Sequence, residues 1–305
     1  MKKCMGCMND YEDSKIVCPM CGYSEAAAME QWEKAPDTLR PETILQGRFI
    51  IGRVLSLSFY SVIYLSWDAL LSRRVVIREL FPYELVKRDA GSLEVRPRNA
   101  SAEELMAGCL ERFEQEGKLL SLCQDIPGVL DYYRTFRENG TAYTVTEYLE
   151  GNTLEDLYGE GKKASAEFCR QLVMRIGTVL DQLHTRGVIH ANLSPSGIYI
   201  NAEGEVILID FGMTKRWLCC RIKDPLEILD ARYSAPEILD GQIDRTVDIY
   251  SAGTVAYQLL TGKEPPEKLR KKLKVKEAGG SFITDMTAPK PGDRPQSFGG
   301  LRTYF

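Results

Sequence analysis

The chain has 305 residues, of which 44% are hydrophobic and 27% charged, and its net charge is −4. This size permits a substantial buried core and suggests one large domain with a small appendage. The weak negative charge does not favour nucleic acid or a membrane surface as a partner. No stretch approaches the roughly 18–20 apolar residues of a spanning helix. Residues 1–4 also lack the apolar character of a signal peptide, so we expect a cytoplasmic protein.

Two cysteine pairs lie near the start of the chain, Cys4 with Cys7 and Cys18 with Cys21, each in C-x-x-C spacing. This pattern is typical of a zinc ribbon, in which four thiolates hold one Zn²⁺ and leave no open position for catalysis. Residues 1–23 are too few to bury a core alone, so metal binding would supply most of their folding free energy. A redox pair or disulfides remain alternatives, although a redox motif normally has one C-x-x-C on a βαβ unit.

Residues 24–43 contain three consecutive alanines followed by Pro36 and Pro41. Alanine has the highest helix propensity, whereas proline ends helices. We therefore predict a short helix and then a linker, with a domain boundary near Thr43.

From Ile44 onward, apolar residues alternate with turn residues at the spacing of antiparallel strands. Three serines, Ser56, Ser58 and Ser61, lie at the turn between the first two predicted strands. Arg78 lies in the third predicted strand and Glu116 in a predicted helix. The strands are predicted over residues 49–55, 62–65, 75–79 and 141–148, and the helix over residues 103–122.

The second half of the chain is predicted to be mainly helical. Residues 168–184 carry apolar side chains at the 3.6-residue spacing of an amphipathic helix. Beyond this helix, His190-Ala191-Asn192 and Asp210-Phe211-Gly212 flank two short predicted strands over residues 198–200 and 206–209. Further along the chain are Ala235-Pro236-Glu237, Asp248-x-Tyr250-Ser251-x-Gly253 and Arg294.

In this order, the motifs resemble those of serine/threonine protein kinases, especially bacterial ones that carry an N-terminal zinc ribbon. The resemblance covers roughly residues 45–303. It implies an α+β, two-lobed protein-kinase-like fold, with an antiparallel β-rich N-lobe and a mainly helical C-lobe, preceded by the ribbon. The implied domains are a ribbon (1–23), a linker (24–43) and a kinase-like domain (44–303), which divides into an N-lobe (44–146), a hinge (147–152) and a C-lobe (153–303).

The catalytic positions depart from the family pattern. Asn192 stands at the place of the aspartate base, Arg78 at that of the phosphate-binding lysine, and Gly197 at that of the metal-binding asparagine. Glu116 aligns with the glutamate that pairs with the lysine, so the resemblance implies an ion pair between Arg78 and Glu116. It also implies an ion pair between Glu237 of the A-P-E motif and Arg294. The resemblance implies that the serines at the three glycine places contact the nucleotide, together with five further residues. The full set is Ser56, Ser58, Ser61, Ile63, Val76, Thr146, Glu147 and Asp210. The resemblance also implies that Asp210 is a ligand for Mg²⁺.

These departures favour a pseudokinase over an active enzyme. An asparagine is not a useful base at neutral pH, and arginine is not interchangeable with lysine at a fitted site. We predict a regulatory or scaffolding protein with a protein partner, structural zinc and, as an open question, residual binding of ATP and Mg²⁺. The alternative is a weakly active or unconventional ATP-dependent Ser/Thr phosphotransferase that uses one Mg²⁺ held by Asp210.

Overall fold

The computed structural model describes residues 1–89, 91–212, 218, 221, 230–266, 273, 275 and 280–304. The chain divides into two compact units. The first unit comprises Met1–Ser121 and Asp131–Tyr148, and the second comprises Leu122–Leu130 and Leu149–Phe305. The two cysteine pairs and residues 24–43 are therefore grouped with the β-rich lobe. The finer domain boundaries at residues 23, 43 and 146 stay predictions.

An antiparallel sheet forms the centre of the first unit. Within the described residues it has six strands, in the order β3-β4-β5-β6-β10-β9. In β6, Val75, Ile77 and Glu79 are fully buried while Val76 and Arg78 between them are only partly buried, which is the two-residue period of a strand with one covered face. The strands are β3 (Ile44–Leu45), β4 (Phe49–Leu57), β5 (Ser61–Asp68), β6 (Arg73–Leu80), β9 (Tyr132–Glu138) and β10 (Thr141–Glu147).

Two two-stranded ladders and two helices complete the described part of the first unit. The two-stranded ladders are β1 (Lys2–Lys3) with β2 (Asp10–Tyr11), and β7 (Val86–Arg88) with β8 (Val95–Pro97). Helix α1 (Glu25–Lys34) begins at Ser24, whose hydroxyl accepts from the Ala27 amide, and it confirms the short helix predicted there. Helix α2 (Ala100–Ser121) packs on β6, β9 and β10.

A buried polar network ties part of the predicted linker to the sheet. The Glu79 carboxylate accepts hydrogen bonds of 2.8 Å from the hydroxyls of Tyr64 and Tyr143, and it pairs with Arg88. Burial raises the pKa of both tyrosines, so their hydroxyls remain donors. Arg88 also donates to a carbonyl, and Tyr64 accepts from an amide, of residues 37–39. This part of the linker is therefore fixed to the sheet.

The cysteine-rich segment covers an open edge of β4. The Arg53 amide donates to the Met5 carbonyl at 2.8 Å, and its guanidinium donates to the Gly6 carbonyl at 2.9 Å. A Cβ at Gly52 would lie 2.1 Å from Met8 Cε and 2.6 Å from the Met5 carbonyl oxygen. Glycine therefore permits the close approach of the two backbones. This contact also protects an edge that would otherwise leave unpaired backbone groups.

Helices dominate the second unit, as predicted. Helix α4 (Ala166–Thr185) buries the stripe expected from its sequence, including Leu172, Ile176 and Leu180. Its neighbour α5 (Thr246–Thr261) is buried on nearly every side. The other strands and α-helices among the described residues of this unit are β11 (Gly151–Thr153), α3 (Leu154–Tyr158), β12 (Ile198–Asn201), β13 (Val206–Leu208) and α6 (Ser281–Met286). Strands β11, β12 and β13 form one antiparallel sheet.

A buried ion pair joins Glu237 of the A-P-E motif to Arg294, with one guanidinium nitrogen 2.8 Å from the carboxylate. Arg294 also donates to the carbonyls of Ala288, Thr246 and Pro289. The predicted pair is confirmed. None of the helices in the described part of the chain has the length and apolar content needed to cross a membrane.

Candidate metal and nucleotide sites

The four N-terminal cysteines form a compact cluster. Their sulfur atoms all lie within 4.8 Å of one another. Cys4 and Cys21 are 3.6 Å apart, and Cys7 and Cys18 are 3.8 Å apart, which is far too long for a disulfide bond. Metal–sulfur bonds of about 2.3 Å in a tetrahedron require sulfur–sulfur edges of about 3.8 Å. The cluster is therefore compatible with a zinc ribbon.

The acid–base properties of these thiols also favour a cation. Burial raises the pKa of Cys4 to about 12, and burial raises the pKa of Cys21 as well. At Cys18, burial acts in the same direction, but the backbone amides of Met20 and Cys21 and the neighbouring thiols lower the pKa to about 7. Four thiolates this close cannot form together near neutral pH unless a cation balances their charge.

The turn between β4 and β5 is closed by its own serines. The Ser58 amide donates to the Ser61 carbonyl at 2.9 Å, and the Ser61 amide donates to the Ser58 hydroxyl at 3.1 Å. The two hydroxyls are 3.0 Å apart. The carbonyls of Phe59 and Tyr60 accept from the amides of residues 83 and 81. In the family, backbone amides of this turn bind nucleotide phosphates; here two of them are used within the protein.

One face of the sheet collects several of the predicted nucleotide contacts. Ile63 lies directly opposite Arg78, and Thr146 directly opposite Val76. Residues directly opposite each other on antiparallel strands share a face, as do Val76 and Arg78, which are two apart. Ser56 is exposed and pairs with Ile63. The sheet thus brings Ile63, Val76, Arg78 and Thr146 together.

Glu147, at the predicted hinge, bonds within the first unit. Its carboxylate accepts a 2.8 Å hydrogen bond from the Asp131 amide, and its own amide donates to the Asp131 carbonyl at 2.9 Å. Burial raises the pKa of this glutamate.

Arg78 is bound to helix α2. Its guanidinium donates to the carboxylate of Glu116, and the guanidinium carbon lies 4.7 Å from the centre of the Phe113 ring. Side chains of the pair are only 11% and 2% exposed. The planar guanidinium suits both a carboxylate and an aromatic face. The predicted ion pair is present, and it fixes α2 against the sheet.

Asp248 anchors the loop that resembles a kinase catalytic loop. Its carboxylate accepts from the amides of His190 at 2.9 Å and Ala191 at 2.6 Å, and it lies 2.8 Å from His184 Nε2. Sequence reasoning identified Asp248 only as a motif residue and missed this role. The sequence could have indicated this role, because Asp248 lies in an apolar helix and a charged residue there needs buried partners.

The same loop bonds directly to the D-F-G motif. The Asn192 amide group donates to the Asp210 carboxylate at 2.7 Å and to the Asp210 carbonyl at 3.0 Å. His190 Nε2 lies 3.0 Å from the Ile209 carbonyl, and its ring is 4.4 Å from that of Phe211. The residue at the base position therefore contacts the residue at the metal-ligand position.

Gly197 ends a 3₁₀ turn over Pro195–Gly197, which the Ser194 hydroxyl caps. A Cβ at Gly197 would approach nothing closer than 3.4 Å, which is ordinary van der Waals contact. The backbone therefore does not require glycine at this position. Gly197, which the resemblance places at the position of the metal-binding asparagine, offers no side-chain oxygen.

Comparison with known proteins supports the same family. The family model of the protein kinase domain matches residues 94–296, so the chain belongs to the protein kinase family. The probable serine/threonine-protein kinase PknB of Bifidobacterium longum is 25% identical over 241 residues, covering 75% of this chain and 32% of that protein. Serine/threonine-protein kinase PknA of Nostoc sp. is 26% identical, covering 74% of this chain and 39% of that protein.

The fold is shared with a solved structure as well. The structure described as "PpkA-294 apo form" has a TM-score of 0.76 and 24% sequence identity, and the match covers 88% of this chain and 99% of the other. The likeness shows the protein-kinase fold. The chain spans about a third of the length of the curated bacterial relatives such as PknB.

A protein kinase domain implies the use of ATP and Mg²⁺, but the described residues do not fit the usual arrangement. An amide replaces the base at Asn192, and no side chain is present at Gly197. The Asp210 carboxylate is already hydrogen-bonded by Asn192. In the turn that binds phosphates in the family, the Ser58 hydroxyl accepts a hydrogen bond from the Ser61 amide. These residues retain one carboxylate that can bind a cation.

Proposed function

We propose that this chain is a pseudokinase, a kinase-fold domain that regulates or scaffolds a protein partner without transferring phosphate. The observation that carries the proposal is the hydrogen bond from Asn192 to Asp210, because it joins the base position to the metal position. A carboxylate base would accept a proton from the attacking hydroxyl, whereas this amide is a donor. The side chains of Asn192 and Asp210 are thereby used to hold two loops together.

The other departures point in the same direction. Arginine replaces the lysine at position 78, although its pair with Glu116 keeps a contact that an active kinase also forms. The serine turn satisfies part of its own backbone. Because such groups act as a unit in catalysis, their losses do not add simply, but each removes part of the positioning that phosphoryl transfer requires. The four-cysteine cluster is proposed as a structural zinc site within a ribbon.

The retained carboxylate of Asp210 supports one alternative, a weakly active phosphotransferase that uses Arg78 and one Mg²⁺. This alternative requires Mg²⁺-ATP to bind through Asp210, whereas the pseudokinase proposal does not.

Thermal unfolding with ATP, with and without Mg²⁺, separates the two functions. For the pseudokinase, we expect Mg²⁺ to add less than about 1 °C to any effect of ATP alone. A metal-dependent site filled at 100 times its dissociation constant would stabilise by about 2.7 kcal/mol, or several degrees. The control is Asp210→Asn, which keeps an acceptor for Asn192 and removes the charge. A rise of several degrees that is lost in this variant would favour the phosphotransferase.

A further inference from the structure

We infer that Asn192 is a positioning residue that holds the D-F-G loop in place without a divalent cation. The inference rests on the proposed function, since it explains how a site without metal-dependent catalysis keeps its frame. In this chain the second unit keeps its described form without Mg²⁺. A single substitution at Asn192 would make the stability of this unit depend on a cation.

The direction of the Asn192 amide follows from its surroundings. Its nitrogen lies 2.7 Å from Asp210 Oδ2 and 3.0 Å from the Asp210 carbonyl oxygen. Both neighbours are acceptors, and only the NH₂ end of the amide can donate to them. Turning the amide over would place its own oxygen against two other oxygens, so the assignment is determined by the contacts.

An aspartate at this position would change the chemistry without changing the shape. Asparagine and aspartate have the same size, but the substitution would bring two carboxylates to hydrogen-bond distance. Two carboxylates that share a site either share a proton or bind a cation, and hard oxygen ligands favour Mg²⁺ or Mn²⁺. The amide removes this requirement, because its N–H supplies the positive end that a metal ion would otherwise provide.

The backbone at this site needs such support. Ala191 has φ +52° and Asp210 has φ +61°, a left-handed conformation that costs free energy for residues other than glycine. Asp248 holds the Ala191 amide, and Asn192 holds both the carbonyl and the carboxylate of Asp210. A Cβ at Gly212 would lie 2.7 Å from the Asn192 Cβ, so the two loops are in close contact.

The test measures thermal unfolding of the full chain without nucleotide, in buffer freed of divalent cations by dialysis, so that no chelator strips the cysteine cluster. We expect millimolar Mg²⁺ or Mn²⁺ to shift the wild-type midpoint by no more than about 1 °C. Asn192→Asp is expected to unfold about 5 °C lower without cations, since it replaces a charge-assisted hydrogen bond with repulsion. Cations should restore at least half of this loss.

Two further variants make the result specific. Asn192→Ala removes the hydrogen bond without adding charge, so it should be destabilised but not rescued by cations. Asn201→Asp is the matched control, because Asn201 also donates to a carboxylate, Glu205, at 3.1 Å but at an exposed position. We expect no cation dependence in this control, since water screens the exposed pair.

Three outcomes would overturn the inference: a wild-type midpoint that rises by several degrees with Mg²⁺, an Asn192→Asp variant as stable as wild type without cations, or a loss in that variant that cations do not repair. The first of these is measured on the wild type and does not require the variant to fold. Because no nucleotide is present, a failure here is distinct from a failure of the proposed function, which transfer of phosphate from ATP would contradict.

Discussion

Removal of zinc is expected to unfold the cysteine cluster and to destabilise the first unit as a whole. Structural zinc in small modules contributes apparent binding free energies of about 10–16 kcal/mol. The segment that carries the cluster also supplies the carbonyls of Met5 and Gly6 to Arg53 of β4. When the cluster loses its metal, these hydrogen bonds and the packing of Met8 over Gly52 are expected to be lost with it.

Elemental analysis and hydrogen exchange would check this expectation. We expect one zinc per chain, and faster amide exchange at Arg53 when a strong chelator is added. Cys18→Ser should show the fast exchange already and should not respond further to the chelator, which provides an internal control. Lower pH should weaken zinc binding, because protons compete with the metal for the thiolates. A protein without zinc would contradict the ribbon assignment. An Arg53 amide whose exchange rate does not change when the chelator is added would contradict it as well.

Breaking the buried pair between Glu237 and Arg294 is expected to cost about 3–5 kcal/mol of folding stability, because it leaves an unpaired buried charge. Arg294→Met removes the guanidinium but retains a long side chain. The variant leaves the Glu237 carboxylate without its charged partner and removes donors from three carbonyls. Thermal or urea unfolding should detect the loss readily.

The matched control is Arg186→Met. Arg186 forms a comparable two-pronged pair with Asp125, at 2.5 and 2.6 Å, but its side chain is 38% exposed and that of Asp125 is 71% exposed. Exposed pairs contribute about 0–1 kcal/mol. Equal losses in the two variants would show that burial does not govern the strength of the Glu237 pair.

Local periodicity made most of the framework predictable. The apolar positions of residues 168–184 predicted helix α4, because a 3.6-residue repeat places them on one side of a helix. The alternation in residues 75–79 gave β6 for the corresponding reason. The pairs of Arg78 with Glu116 and of Glu237 with Arg294 were predicted from the family resemblance, and both are present.

Contacts between distant segments were not predictable in the same way. Nothing local in residues 37–39 indicates that their backbone bonds to Arg88 and Tyr64. The resemblance placed serines at the three glycine positions, but the hydrogen bonds between Ser58 and Ser61 depend on hydroxyl geometry that sequence spacing does not give. Asn192 was interpreted as the loss of a base. Its hydrogen bond to Asp210 depends on how two loops meet, eighteen residues apart.

Transfer of labelled phosphate from ATP tests the central claim most directly. The assay compares the wild-type chain with Asp210→Asn, at millimolar Mg²⁺ or Mn²⁺, with a general protein substrate and with the chain itself as acceptor. Since the base position donates a hydrogen bond to the metal position, we predict that the wild type incorporates no more label than the variant. Incorporation by the wild type that is abolished in Asp210→Asn would contradict the account.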